Sequence, residues 1–361
     1  MSQVLFAPVG LSVVDAKHTL TARYDAMLRK TITREMVEKK SVAIKIHIGG
    51  RETYTTNHPT FLRRVALRVI ECGGKPFITD SSGTFNLGAG YAHEVLGCPV
   101  YPAAGLNNKY AYTKKTGSKL LPTVEIAGFI HDADVLINLS HAKGHGCASY
   151  GGAIKNLGMG AVTSATRRAV HTVTKGAFKL DAKLCGHCGV CIEHCRGHAL
   201  KFNDKKELVV FDHNCIYCGR CTALCHKKAI TMDESLWPKF QHALSLAARE
   251  AIRTFEPERV LHINVILAVT ALCDCFGMGL PSIVPDVGIV MSNDIVSIEK
   301  ATLDLIGQQP FFADALPGGR KPASDEGHPF FRCWAKDPYE QVTAAAKLKM
   351  GEMEYKIKKV V

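Results

Sequence analysis

The sequence predicts an α/β fold: a mainly parallel sheet with helices on both faces, interrupted by a cysteine-rich insertion. Short apolar runs rich in β-branched residues alternate with segments of helical spacing. That alternation stands on both sides of the cysteines. With 361 residues, 47% of them hydrophobic, the chain can bury one large core or two ordinary ones.

The first element is helical, within residues 18–40, where Leu20, Tyr24, Met27, Leu28, Met36 and Val37 keep helical spacing. SVAIKIHIGG (41–50) follows as a β-rich run closed by two glycines. At Thr56–Asn57–His58–Pro59 a helix starts, with Pro59 tolerated in the first turn because an N–H there lacks a helical partner anyway. Phe61, Leu62, Val65, Leu67, Val69 and Ile70 continue it, and Gly73–Gly74 end it. PFITD (76–80) is the next strand, opening into SSGTFNLGAG, and DADVLINLS (132–140) is another. Beyond the cysteines come a helix around 236–254, with Phe240, Leu244, Leu246 and Ala247 on its apolar side, and a buried strand, RVLHINVILAV (259–269). DVGIVMS (286–292) and the helix NDIVSIEKATLDLI (293–306) form a further βα unit, capped by Asn293 or Asp294. The organisation that results is an α/β core in two parts, 1–180 and 233–361, around an insertion at 181–232.

Within the insertion, CGHCGVCIEHC (185–195) and CIYCGRCTALC (215–225) both read C-x2-C-x2-C-x3-C. That spacing wraps three thiolates around one four-iron cube and sends the fourth to the neighbouring cube. Cys185, Cys188, Cys191 and Cys225 then hold one [4Fe–4S] cluster; Cys215, Cys218, Cys221 and Cys195 hold the other. Gly186, Gly189 and Gly219 suit loops that wrap tightly around sulfur. Zinc, the competing reading, prefers two CxxC pairs with tetrahedral closure and suits duplicated four-cysteine runs badly. The insertion is therefore expected to be a ferredoxin-like α+β module with two clusters. The proline usual after the fourth cysteine is replaced by Arg196 and His226. Either a cation there stabilises the reduced cluster and raises its potential, or the loop has taken another conformation.

HAKGHGCASYGGAIKNLGMG (141–160) places His141, Lys143, His145, Lys155 and Asn156 among Gly144, Gly146, Gly151 and Gly152, where a strand gives way to a loop. Ligands collect at such carboxyl ends in open α/β sheets. Glycines let backbone N–H groups approach an anion and lysines add point charge. Neither G-x-x-x-x-G-K-S/T nor G-x-G-x-x-G is present, so the expected anion is a small carboxylate or phosphate, or a bound cofactor, rather than ATP or NAD. A plain surface loop is the competing reading. Lys45 and His47 alternate along IKIHI and so share a face. Asp80 ends PFITD, Asp286 precedes GIVMS, and His171 follows Arg167–Arg168. Converging at strand ends, the lysines would hold negative charge, and His145, His141 or His47 would supply the protons that reducing a carbon centre requires. In CDCFGMG, Cys273 and Cys275 would share one face of a strand. They would bind a metal or act as a dithiol if Cys147 or a histidine joined them; buried core cysteine is the competing reading.

The 14 cysteines, mostly in thiolate-ligand spacing, fit a reducing compartment. MSQVLFAPVG has no basic segment ahead of an apolar one, and no apolar run nears the ~20 residues of a membrane helix; a cytoplasmic protein without membrane insertion is expected. The formal charge of +12 falls to roughly +8 with two clusters of about −2 each. The basic residues are scattered, without interleaved aromatics, so no nucleic-acid partner is expected.

The order IKIHIGG, DADVLINLSHAKGH, GGAIKNLG, two ferredoxin runs and CDC…PDVGIVMSNDIVSIEKATLDLI resembles the iron–sulfur protein family labelled domain of unknown function 362, over about 41–307. Where that family reads D-P-V-A-I-D, this chain has Ile295 for the proline and Glu299 for the second aspartate. The resemblance implies an α/β core distantly like that of the lactate racemase superfamily, and supplies no reaction. The expected function is an iron–sulfur oxidoreductase relaying single electrons from a ferredoxin or flavoprotein donor to a small anionic substrate or bound cofactor. The alternatives are an electron-transfer or metallocofactor-maturation partner without its own substrate, and structural clusters beside a non-redox pocket.

Overall fold

In the computed structural model, which describes all residues except 12, 51–52, 82–89, 175–176, 196–197, 212–213, 216–219, 277–278, 318–320 and 361, eight strands build one sheet. In chain order they are β1 (Ser2–Pro8), β2 (Ser41–Lys45), β3 (Lys75–Asp80), β4 (Val100–Pro102), β5 (Val135–His141), β6 (Val260–Ile266), β7 (Gly288–Ser292) and β8 (Tyr355–Lys359). Across the sheet the order is β8-β1-β7-β6-β5-β2-β3-β4, and every neighbouring pair is parallel except the two that involve β7. β5 and β6 are buried at all seven positions, as strands covered on both faces must be.

Residues of alternate parity divide the sheet between two cores. Val135, Ile137, Leu139, Leu261 and Ile263 join α1 (Leu20–Thr31) and α2 (Pro59–Glu71) through Tyr24, Met27, Leu62 and Val65. On the other face lie α3 (Ala153–Gly160), α5 (Trp237–Ile252) and α6 (Ile295–Gly307), with α4 (Ser164–Thr172) beside α5. That second face carries a polar layer. Asn138 Nδ2 donates to Ala153 O (3.1 Å) and meets His262 Nδ1 (3.1 Å), while Asn264 Nδ2 donates to Glu299 Oε1 (3.0 Å) and Thr302 Oγ1 (2.9 Å). Buried polar groups are tolerated only when paired in this way, and the pairs fix α3 against β5.

Most expected elements form where the sequence places them. Asp294 is the cap of α6, accepting from Val296 N and Ser297 N at 2.9 Å. On α2 the apolar stripe is narrower than read, because Leu67 and Ile70 face solvent. β7 is antiparallel rather than part of a βα crossover. A parallel neighbour needs a helical crossover, and between β6 and β7 the described residues hold only the short 3-10 turn Asp274–Phe276. That turn also replaces the strand expected for Cys273–Cys275. The two end strands, β1 and β8, pair with each other in parallel. YKIKK in β8 has four exposed positions, the charged edge that discourages further pairing.

The sheet draws β1–β5 from before the cysteine segment and β6–β8 from after it. Within the segment, Phe178–Leu180 pairs with Ile230–Met232 and Leu200–Phe202 with Leu208–Val210, around a small core of Leu200, Leu208 and Ile230. Among the described residues, no helix is long and apolar enough to cross a membrane.

Glu299 gives this interior a pH dependence. Fully buried, with Oε1 accepting from Ala153 N, Asn264 and Tyr150, it is raised by burial from 4.5 to about 7. The folded state thus holds the proton more tightly than the unfolded chain. Its contribution is full below pH 4.5 and is lost as pH rises through about 7. Urea unfolding at about pH 5 and about pH 8 should differ by about 3 kcal/mol on this account, and Glu299→Gln should flatten the difference.

Candidate active site

At the carboxyl ends of β2 and β3, Lys45 and Asp80 form a buried ion pair, Nζ to Oδ1 at 2.9 Å. Lys45 Nζ also donates to Asn156 Oδ1 (2.6 Å) and to the Ile46 carbonyl. Asp80 accepts in addition from Ile48 N (2.9 Å) and Ser81 N (2.6 Å). Burial alone would raise Asp80, but Lys45, His47 and the Ile48 N–H hold it below the usual carboxylate range. Burial lowers Lys45, with Asp80 opposing. Asn156, on α3, ties the strands together by donating to Lys45 O (3.2 Å), Leu139 O (3.2 Å) and Asn138 Oδ1 (2.7 Å). α3 ends over the ion pair at Gly160, where any side chain would collide with Lys45 Nζ and Asp80 Oδ1.

Beside this pair the turn 273–275 closes over His47. His47 Nε2 lies 2.7 Å from Asp274 Oδ1 and 3.7 Å from Cys273 Sγ. Lys143 Nζ stands 3.3 Å from Asp274 Oδ1, and Lys155 Nζ 3.7 Å from Cys273 Sγ. Burial would raise the Cys273 thiol, but the Cys275 thiol, Lys155, His47 and Lys143 together bring it well below its ordinary value. Of the two thiols of the turn, Cys273 is thus the one biased toward thiolate, with Lys155, His47 and Lys143 around it. Burial also opposes charge on His47, yet Asp274 more than restores it and the imidazole is raised overall.

A cleft of about 390 Å³ is walled by Lys45, His47, Asp80, His145, Lys155 and Asn156, all expected from the sequence. Arg167 and His171, also named from the sequence and one turn apart on α4, stand in the same wall, and the structure adds Ser81, Met159 and Cys275. Among the described residues Arg167 has no ion-pair partner. The spacing of Arg167 and His171 in TRRAVH was the available signal for that wall. Asp274 gave none, since a lone acid between two cysteines reads as loop.

Other expected site residues lie elsewhere. Lys143 does not wall the cleft; its Nζ pairs with Asp274 Oδ1 at 3.3 Å. His141 borders a neighbouring cavity of about 580 Å³ with Asn57. Asp286 is exposed and accepts from Ala268 N (2.7 Å), fixing the turn after β6. The glycines expected to cradle an anion serve close packing instead: at Gly144 a side chain would meet Ala271 O, at Gly151 the Lys155 stem, and at Gly152 Tyr150 and Glu299. The Gly146 carbonyl accepts from Lys336 Nζ (2.7 Å), so the backbone there receives a cation.

The three histidines are not equivalent as proton donors. His145 Nδ1 accepts from Cys147 N (3.2 Å) and Ala148 N (3.1 Å), which leaves its proton on Nε2. Burial, then Lys155, press it well below its ordinary value, so it is neutral and can only donate a hydrogen bond. His141 is lowered to about 4 by burial, then Lys143. Of the three, His47 alone is raised, its burial being outweighed by Asp274.

In the cysteine segment the helices Val190–Glu193 and Arg220–Leu224 pack on each other. Cys191, Cys195, Cys221 and Cys225 pack on the small core, and Cys215 packs on the main one. Burial raises the Cys191 thiol, and Cys185 and Cys188 raise it further by their proximity. Cys195 Sγ accepts from Ala199 N and Cys225 Sγ from Ala229 N, both at 3.2 Å. His198 and Lys228, three residues after those cysteines, both have positive φ, so the two runs repeat one local geometry. Cys218 lies outside the described residues.

Fold and site together define an α/β protein with a cation-walled cleft and a buried cysteine, Cys273, at its strand ends. A family model described as domain of unknown function (DUF362) matches residues 42–304, and the chain belongs to that family. No curated protein matches the sequence. Among solved structures, the chain is similar to the lactate racemase apoprotein from Thermoanaerobacterium thermosaccharolyticum, at 12% identity and a TM-score of 0.32, over 74% of this chain and 51% of that one. The chain thus spans about half of that protein, and a likeness this loose carries no argument about fold or reaction.

Proposed function

We propose that the protein is an iron–sulfur oxidoreductase passing single electrons to a small anionic substrate, or to a cofactor bound in the cleft. The cysteine segment fits two [4Fe–4S] clusters. The helices of the two runs meet, the fourth sulfur of each run accepts a backbone N–H, as a cluster thiolate does, and Cys185 and Cys188 act electrostatically on the Cys191 thiol. Cys185, Cys188, Cys191 and Cys225 would hold one; Cys215, Cys218, Cys221 and Cys195 the other. When bound, the clusters supply one-electron transfer, fed by a ferredoxin or flavoprotein donor.

The chain's own residues do the rest. Arg167 and Lys155 hold the anion, and the neutral His145 Nε2–H donates to it without giving up its proton. The carrying observation is continuity: α4 puts Arg167 and His171 in the cleft wall and runs within six residues into Phe178–Leu180 of the cysteine segment, while Cys215 packs on the main core.

Dithionite-reduced protein, purified anaerobically, should be reoxidised with saturation by one class of small carboxylates or phosphate esters. Arg167→Ala should raise KM about ten- to a hundredfold, the worth of one charged hydrogen bond, and leave cluster absorbance unchanged. Should no small acid accept electrons while a protein partner does, the carrier reading replaces this one.

A further inference from the structure

His47, Cys273 and Asp274 each present one ligating atom, all within 4.8 Å of one another. We propose that these three, with Cys275, form a mononuclear site for a divalent transition-metal ion at the cleft floor. It uses none of the eight cysteines assigned to clusters and stands whether or not the electron-transfer reading holds.

The distances fit an ion. With metal–sulfur bonds of about 2.3 Å and metal–nitrogen or metal–oxygen bonds of about 2.0–2.1 Å, a tetrahedral site has sulfur-to-nitrogen and sulfur-to-oxygen edges of about 3.6 Å. Cys273 Sγ lies 3.7 Å from His47 Nε2 and 3.7 Å from Asp274 Oδ1. Only the edge between His47 and Asp274, at 2.7 Å, is short. There a proton now bridges the two, and an ion would replace it, widening that edge by about 0.7 Å.

A second, independent observation is Asp274 Oδ2. The residue is fully buried, yet this oxygen has no hydrogen-bond partner. An acceptor left unpaired in the interior is costly, and a second coordinating oxygen would remove the cost. The chemistry of the donors is selective: thiolate and imidazole suit zinc, iron, cobalt or nickel and disfavour magnesium or calcium.

Charge balance accounts for the two lysines. Two thiolates and a carboxylate around a dication leave one negative charge, which Lys143 and Lys155 can offset from 3.3 and 3.7 Å. Without an ion the same ammonium groups hold the anions in place. Cys275 is exposed and borders the cleft, so the ion would meet solvent on that side only.

The test is cobalt(II) added to the anaerobically purified full chain, read by thiolate-to-cobalt charge-transfer absorption. One equivalent should bind. Cys273→Ala should weaken binding by more than the roughly 10–100-fold that loss of an outer partner costs, with cluster iron unchanged. Cys275→Ser, at an exposed position, guards against a folding artefact and should reduce the charge-transfer intensity without changing the melting temperature. Equal binding by wild type and both variants would overturn the proposal. So would absence of cobalt binding together with loss of two titratable thiols on mild oxidation, which would make Cys273 and Cys275 a dithiol instead.

Discussion

Lys45→Met is expected to cost about 3–5 kcal/mol of folding free energy, the usual price of removing one partner from a buried ion pair. The stem of methionine fills nearly the same space, so the loss is electrostatic rather than a cavity. It leaves Asp80, 7% exposed, with the backbone N–H groups of Ile48 and Ser81 but, among the described residues, no other ion-pair partner. It also strips Asn156 Oδ1 and the Ile46 carbonyl of their shared donor. Against a total of about 5–15 kcal/mol for a folded domain, this is a large share. Asp80→Asn in the same chain removes the stranded charge, and the double variant should recover at least half of the loss. Urea unfolding of the two single variants and the double variant gives the coupling directly. A cost for Lys45→Met below about 1 kcal/mol would mean that the pair behaves as an exposed one, contrary to its burial.

How far the site was legible follows from the kind of signal each residue gives. Lys45 and His47 were readable because a strand has period two, and both line the cleft. β5 and β6 were readable because a strand covered on both faces has nowhere to put polar residues except a paired layer. The orientation of β7 was not. GIVMS looks like any buried strand, and whether it runs parallel depends on the absence of a helix between it and β6. The glycines of 141–160 were misleading for a related reason. Sequence shows that a side chain is missing, but not whether a ligand or a neighbouring backbone takes the space. Protonation was the least legible property. His47 and His145 are the same residue type facing one cleft, both pressed down by burial, and Asp274 beside the first and Lys155 beside the second set them apart. Asp274 itself became visible as a functional group only once the turn brought it against His47.

Cys225→Ser and Cys195→Ser are expected to remove different clusters. By the crossing rule, each run supplies three ligands to one cluster and its fourth to the other. Cys225→Ser should therefore lose the cluster of Cys185, Cys188 and Cys191, and Cys195→Ser that of Cys215, Cys218 and Cys221. Each variant should retain about half of the iron. Their consequences should differ because, among the described cysteines of the two runs, Cys215 of the second packs on the main core. On the proposed reading the cluster lost in Cys195→Ser is the one held by the run that packs on the main core, and that variant should take electrons from a donor yet fail to pass them on. Cys225→Ser keeps the inner cluster and should still be reoxidised by a substrate once chemically reduced. Iron analysis with electron paramagnetic resonance of the reduced proteins reads the first expectation, and single-turnover reoxidation reads the second. Identical residual spectra from the two variants would rule out the crossed assignment. Equal reoxidation rates would put the cleft at the same electronic distance from both clusters and remove the argument from Cys215.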